Sequence, residues 1–252
     1  MLLASWNVNS LKARLHRVLE LLAEHRPDVV CLQETKCEPS AFPLAELADA
    51  GYVAHHHSAG RWAGVAILAR AEHGIEATAS GLPGELAPAE ARWCEATVGG
   101  LRIASTYVTN GREVGSSWFD EKLAFLAAVA DRTPQLDAIL GDFNVAPSDL
   151  DVYDPAAFAG ATHVTAEERG ALQAILDRGF ADAYRRLHPD ERQYTWWDYR
   201  AGHFHKGLGL RIDLALLRDG DVSERLRACG IARDYRKGSK PSDHAPLLVQ
   251  LR

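Results

Sequence analysis

Short apolar runs that each end in a polar residue recur along the whole chain, and this constrains the fold more than any other feature. LLASWNV carries Asn7 at its end, VVCLQ runs into Gln33-Glu34, LRIASTYV ends around Tyr107 and LDAILGD reaches Asp142. Such runs are too short for buried helices and have the length of buried strands. Between them lie helical patterns. LKARLHRVLELLAEH places leucines at helical spacing after Asn9 or Ser10, either of which can cap it, and Arg26-Pro27-Asp28 breaks it. A short helix is expected over Ala45–Ala50, stopped by Gly51. FDEKLAFLAAVADR is amphipathic. Thr165-Ala166-Glu167-Glu168 reads as a capping box opening a helix through Leu176, with Gly179 as its stop.

YVAHHH and GVAILAR read as further strands, and RWCEATV with LRIASTYV around Gly99-Gly100 reads as a hairpin. Residues 72–90 read as a loop or edge, and 146–163 as a long loop. Short strands are expected at YTWW, RIDLALL, Gly230–Arg233 and LLVQL. No linker, repeat or composition shift divides the 252 residues. The expectation is one domain over 1–252, an α/β sandwich with two central mixed sheets and helices outside.

The chain is 47% hydrophobic and 25% charged, enough for a packed core. Its net charge of −6 does not by itself suggest a nucleic-acid partner. A metal site, however, collects carboxylates, and basic clusters occur at Arg14/Arg17, Arg185/Arg186 and Arg233–Lys240. Cys31, Cys37, Cys94 and Cys229 form no CxxC pair, which argues against zinc; Cys31 reads as a reduced core residue. No apolar run approaches the roughly 18 residues of a membrane span. The N-terminus lacks a signal-peptide pattern, so a cytoplasmic location is expected.

The polar strand ends carry the chemistry. Glu34, Asp142, Asp243 and Asn7 offer hard oxygen donors suited to Mg²⁺, with Mn²⁺ as a substitute. Asp213 lies inside the apolar run RIDLALL, and a buried carboxylate needs a partner. His244 would supply one and become an oriented imidazole. Tyr107, Asn110 and Asn144 are candidate donors to a phosphoryl oxygen. Together these groups suit metal-assisted phosphodiester hydrolysis, and no Walker A loop is present.

SWNVNSL, LQETK, YVTNGRE, GDFNVAP, YTWWDYR, RIDLALL and SDHAP follow one another from residue 5 to residue 246. In that order they resemble exonuclease III-type apurinic/apyrimidinic endonucleases of the endonuclease/exonuclease/phosphatase superfamily. The resemblance implies a four-layered α/β sandwich. It implies an enzyme that cuts DNA 5′ to abasic sites and processes 3′ ends as a 3′–5′ exonuclease and 3′-phosphatase. It implies a metal site at Glu34 and Asn7, with Asp142, Asn144, Asp243 and His244 around it. Tyr107 would contact the scissile phosphate, Asp142 would activate water, Asn144 would orient it, and Asp213 would hold His244. Whether Asp142 or His244 takes the proton stays open. Trp196, Leu210 and Ile212 would form a pocket for a flipped abasic sugar, with Trp197 buried. Lys12, Arg112 and Lys206 are candidate phosphate contacts. The expected partner of a monomeric chain is double-stranded DNA carrying abasic sites or blocked 3′ ends.

Three positions depart from the family pattern. Thr109 replaces a frequent Pro and Ala63 a common Asn. His163 stands where strong abasic endonucleases have Gly or Ser. A ring there would obstruct a continuous strand yet leave a 3′ terminus free to enter, which implies a bias to 3′-end processing; a surface histidine of little consequence is the alternative. The competing functions are another superfamily phosphoesterase, acting on RNA or an inositol phosphate, and a non-catalytic DNA-binding module. LQETK, YTWWDYR and RIDLALL argue against the first, and the complete set of reactive residues against the second.

Overall fold

The computed structural model describes residues 1–87 and 89–252. In chain order the first half forms β1 Leu2–Asn7, α1 Leu11–His25, β2 Val29–Gln33, α2 Leu44–Asp49, β3 Tyr52–His57, β4 Val65–Arg70, β5 Glu76–Ser80, β6 Trp93–Val98 and β7 Leu101–Tyr107. The second half forms α3 Ser117–Arg132, β8 Ala138–Asp142, α4 Ala166–Leu176, β9 Phe180–Asp182, α5 Ala183–Leu187, α6 His203–Lys206, β10 Asp213–Arg218, α7 Asp221–Glu224, β11 Leu226–Ile231 and β12 Leu247–Leu251.

The strands pair into two mixed sheets of six, ordered β11-β12-β1-β2-β4-β3 and β5-β6-β7-β8-β10-β9. Period-two alternation decides what each strand faces. Leu3, Val29, Cys31 and Ile67 point into the space between the sheets, where they meet Cys94, Ile103, Leu140 and Leu217. Their neighbours Ala4, Trp6, Val30 and Leu32 point outward beneath Val18, Leu21 and Leu22 of α1. On the other sheet Ala104, Ile139 and Leu214 face outward beneath Phe125 and Leu126 of α3 and Leu172 of α4. Helix, sheet, sheet and helix thus form the four layers of an α/β sandwich. Each fully buried Leu or Val adds roughly 1.5–3 kcal/mol. β1 and β12 are antiparallel neighbours, so the two ends of the chain share one sheet.

Local signals explain most boundaries. Ser10 caps α1, its hydroxyl accepting from the Ala13 N–H, and Arg26 closes the helix in a left-handed conformation. Thr165 and Glu168 form the full capping box at the start of α4. The 72–90 segment supplies an edge strand, β5, paired with β6. YTWW forms no strand: Trp196 makes only isolated bridges, to Leu210 and His244. This segment crosses strand ends, and the Thr195 hydroxyl accepts the Ile212 and Asp213 N–H groups there. The strand expected at Gly230–Arg233 lies earlier, as β11, because its pairing with β12 places Leu226 and Cys229 against the core. Arg233–Arg236 is instead a 3₁₀ turn.

All four cysteines are free and buried. Among the described residues, no helix is long and apolar enough to cross a membrane.

Candidate active site

Three strand ends converge because their registers align. Tyr107 on β7 and Asp213 on β10 both stand opposite Asp142 on β8. Gly141 allows the close approach of β7 and β8, since a Cβ there would lie 2.0 Å from the Thr106 carbonyl oxygen. On the facing sheet Asn7 and Gln33 are aligned at the ends of β1 and β2. The polar residues that end the apolar runs therefore gather at one rim of the sandwich.

Asn7 is completely buried and joins two acids. Its amide nitrogen donates to Glu34 Oε1 at 2.8 Å and to Asp142 Oδ2 at 2.9 Å. Its amide oxygen accepts the Asn9 N–H, so Asn7 bridges the carboxylates here. Ser242 holds the Asn7 carbonyl through its hydroxyl. Glu34 also pairs with Lys36 at 2.5 Å. Glu34, Asn144 and His163 all have left-handed backbones, with φ of 50°, 51° and 80°. Such strain in non-glycine residues concentrates at functional sites.

Glu34, Asp142 and His244 offer ligand atoms that lie within 4.8 Å of one another. Two hard carboxylate oxygens on one cluster fit a divalent cation. His244 is held from behind: its Nδ1 lies 2.7 Å from Asp213 Oδ2, while Nε2 faces Asp142 Oδ2 at 3.7 Å. Burial opposes charge on the imidazole, but the Asp213 and Asp142 carboxylates outweigh it and raise His244 to about 10. Burial raises Asp142 to about 7, assisted by Asp213 and Glu34 and opposed by His244 and the Asn7 amide. Tyr107 is pushed well above its ordinary value by burial and by Glu34 and Asp142, so its hydroxyl stays a donor.

Asp243 sits outside the acidic cluster. Its two oxygens accept from Asn9 Nδ2 at 3.0 Å and Trp196 Nε1 at 3.1 Å. Asn144 donates its side-chain amide to the Val108 carbonyl and its backbone N–H to Asp142 Oδ1. Leu210 and Ile212 are buried in a satellite cluster with Ala146 and Val152, against which the partly buried Trp196 packs. Trp197 is buried, as expected.

His163 is not a surface residue: it is 8% exposed. Its Nδ1 donates to the Asn144 carbonyl at 2.6 Å, its Nε2 accepts from the Asn110 amide at 3.1 Å, and its backbone N–H donates to Glu168. Burial and the nearby Lys122 ammonium lower it to about 4, so the ring is neutral. Lys12, Arg112 and Lys206 are exposed. Arg112 stacks on Trp118, its guanidinium carbon 3.8 Å from the ring centroid. Three residues of the other basic clusters serve the fold. Arg185 pairs with buried Asp151, Arg14 binds the Lys240 and Pro241 carbonyls, and Arg236 binds the Ser242 carbonyl.

Several supporting residues escaped the sequence reading. Lys122, fully buried on α3, binds Glu168 and the Asn110 and Asn144 carbonyls. Its position between Phe119 and Phe125 on the apolar stripe was the available signal. Arg92 stacks on Tyr107 at 4.8 Å. Lys36, Asn9, Thr195 and Ser242 lie inside the motifs, but their contacts with Asn9, Asp243, Ile212 and the Asn7 carbonyl join residues distant in sequence.

The sequence model described as "Endonuclease/Exonuclease/phosphatase family" matches residues 4–244. The exodeoxyribonuclease III of Haemophilus influenzae is 31% identical over 267 aligned residues, covering 98% of each chain. Among solved structures, a 3′ phosphatase from Neisseria bound to a product DNA hairpin superposes with a TM-score of 0.94 at 35% identity, covering 100% of this chain and 99% of that one. An AP endonuclease from Archaeoglobus fulgidus superposes with a TM-score of 0.95 at 34% identity and the same coverage. Because the match spans both sheets and every strand end that meets at the rim, the chain belongs to the endonuclease/exonuclease/phosphatase family, in its exonuclease III-type branch of AP endonucleases.

Proposed function

We propose that this chain is a Mg²⁺-dependent DNA-repair phosphodiesterase, acting as one domain, that cuts 5′ to abasic sites and trims 3′ ends. The observation that carries the reading is the Glu34, Asp142 and His244 cluster, backed by Asp213. Glu34 and Asp142 would hold Mg²⁺, with Mn²⁺ as a substitute; the bound ion would polarise the phosphoryl oxygen and offset its charge in the transition state. Asn7 keeps the two carboxylates together.

The protonation pattern supports Asp142 as the group that takes the proton from the attacking water. His244 is kept protonated by the Asp213 and Asp142 carboxylates beside it, which leaves Asp142 as the group able to accept a proton. His244, oriented by Asp213, then donates from Nε2 to a phosphoryl oxygen. Tyr107 donates its hydroxyl to the same phosphate. Asn144 is held beside Asp142 by its own backbone, in reach of the water. Trp196, with Leu210 and Ile212 beneath it, forms the apolar seat for a sugar that carries no base. Lys12, Arg112 and Lys206 are exposed cations available to the phosphate backbone.

His163 supports a bias to 3′ ends. Two hydrogen bonds fix its ring between Asn110 and Asn144, and a third, from its backbone N–H to Glu168, holds the loop beneath it, so a passing strand cannot simply push it aside. A substrate panel in Mg²⁺ tests the whole reading: abasic duplex, nicked duplex with a 3′-phosphate, blunt duplex and single strand. The first two are expected to be turned over, the 3′-phosphate faster. No turnover of any DNA, with hydrolysis of an RNA or inositol phosphate instead, would refute it.

A further inference from the structure

Beside the reacting centre lies a cleft of about 540 Å³ whose outer part, around Trp62, Ala63 and Trp118, has no role above. Tyr107 and Asn110 form its inner edge, so it is continuous with the site. Strand order fixes its side. β7, which ends at Tyr107, lies on one side of β8 and Asp142, and β10, which follows Ile212, lies on the other. The cleft and the Trp196 seat therefore flank Asp142 from opposite directions.

The walls are aromatic and the floor is small. Trp62, 77% exposed, presents a large aromatic ring to this cleft. Across from it Trp118, 37% exposed, carries the flat Arg112 guanidinium on its face. Ala63 and Thr109, both departures from the family pattern, line the same cleft. Ala63 leaves open the volume an amide side chain would fill.

We infer that this cleft binds one nucleobase of the substrate strand, stacked on Trp62 and faced by the Arg112–Trp118 pair. Every base has a π-face, so the contact tolerates sequence, and the guanidinium adds attraction to ring and phosphate alike. If the baseless sugar sits at Trp196, strand continuity across the scissile phosphate gives the cleft the base of the 5′ neighbour. The inference rests on the DNA reading above and extends it from the reacting phosphate to the nucleotide beyond.

The test is equilibrium binding by fluorescence anisotropy without divalent metal, so that no strand is cut. Two duplexes carry a tetrahydrofuran abasic analogue; in one the 5′ neighbour is a normal nucleotide, in the other a second tetrahydrofuran. Wild type is expected to bind the first about tenfold more tightly, the loss typical of one base–aromatic stack. Trp62→Ala should erase that difference, Trp62→Phe should keep most of it, and Trp118→Ala should shrink it. Equal wild-type affinity for the two duplexes overturns the inference, as does a Trp62→Ala variant that weakens both alike. If wild type neither binds these duplexes nor cuts any DNA in Mg²⁺, the DNA reading fails and the inference with it.

Discussion

His244 Nδ1 lies 2.7 Å from Asp213 Oδ2, and both side chains are buried. This contact fixes which imidazole nitrogen faces the reacting centre and holds the ring charged. Asp213→Asn keeps the shape and removes the charge. We expect kcat to fall about 10²–10⁴-fold, the range for losing a positioned acid–base group. Steady-state turnover of 3′-phosphate DNA, alongside circular dichroism to verify folding, checks this.

The same pair gives the metal-free protein a pH-dependent stability. Folded His244 titrates at about 10 against an ordinary 6.5, so its contribution is full below 6.5 and is lost as pH rises towards 10. Asp142, raised from 3.8 to about 7, contributes in the same direction at lower pH. Unfolding free energy should therefore fall between pH 6.5 and 9, by at most ~1.4 kcal/mol per pH unit for one proton, and the melting temperature should fall with it. His244→Asn should flatten that slope in a thermal melt.

Removal of an acid from the cluster should separate metal binding from folding. Glu34→Ala is expected to abolish turnover and weaken Mg²⁺ binding at least tenfold in a calorimetric titration. An unchanged affinity would remove Glu34 from the metal site.

Lys122 and Glu168 form a fully buried ion pair that ties α3 and α4 to the Asn144 loop. Breaking one partner leaves an uncompensated charge. Lys122→Met should cost about 3–5 kcal/mol in urea unfolding. The Lys122→Met/Glu168→Gln double variant should recover part of that loss, as coupled sites do.

His163→Gly removes the ring between Asn110 and Asn144, and its left-handed backbone at φ 80° suits glycine. Abasic incision is expected to rise relative to 3′-phosphate removal. An unchanged ratio between the two rates would show that the ring does not set the preference.

Much of the layer order is legible in the sequence. Strand and helix periods, the Thr165 capping box and the Gly99-Gly100 turn are local, and each reflects chain stiffness and the alternation of side chains. YTWW misled because its aromatics have strand propensity, while their role is to cross the strand ends and present Trp196. The short β9, α5, α6 and α7 went unseen because they are held by packing and carry little pattern of their own.

The residues of the site were also legible by type: acids, amides and a histidine at the ends of apolar runs. Their partners were not. Asp243 reads as a further oxygen ligand, and in the structure its two oxygens accept from Asn9 and Trp196. The basic runs looked like a nucleic-acid surface, yet Arg185 and Arg236 spend their charge on Asp151 and on backbone carbonyls. His163 stands out in sequence as a departure that either obstructs a strand or lies idle on the surface; burial removes the surface alternative and makes the ring fixed and neutral.

The sequence by itself determined the periodicities, the inventory of reactive groups and the family, since these depend on which residues occur and in what order. Tertiary structure alone decided which groups meet and in what charge state. Sheet register sets Tyr107 and Asp213 opposite Asp142, and contacts such as Trp6 with His244 span 238 positions. Charge state follows from burial beside those neighbours, a property of the packed interior that no stretch of chain carries alone.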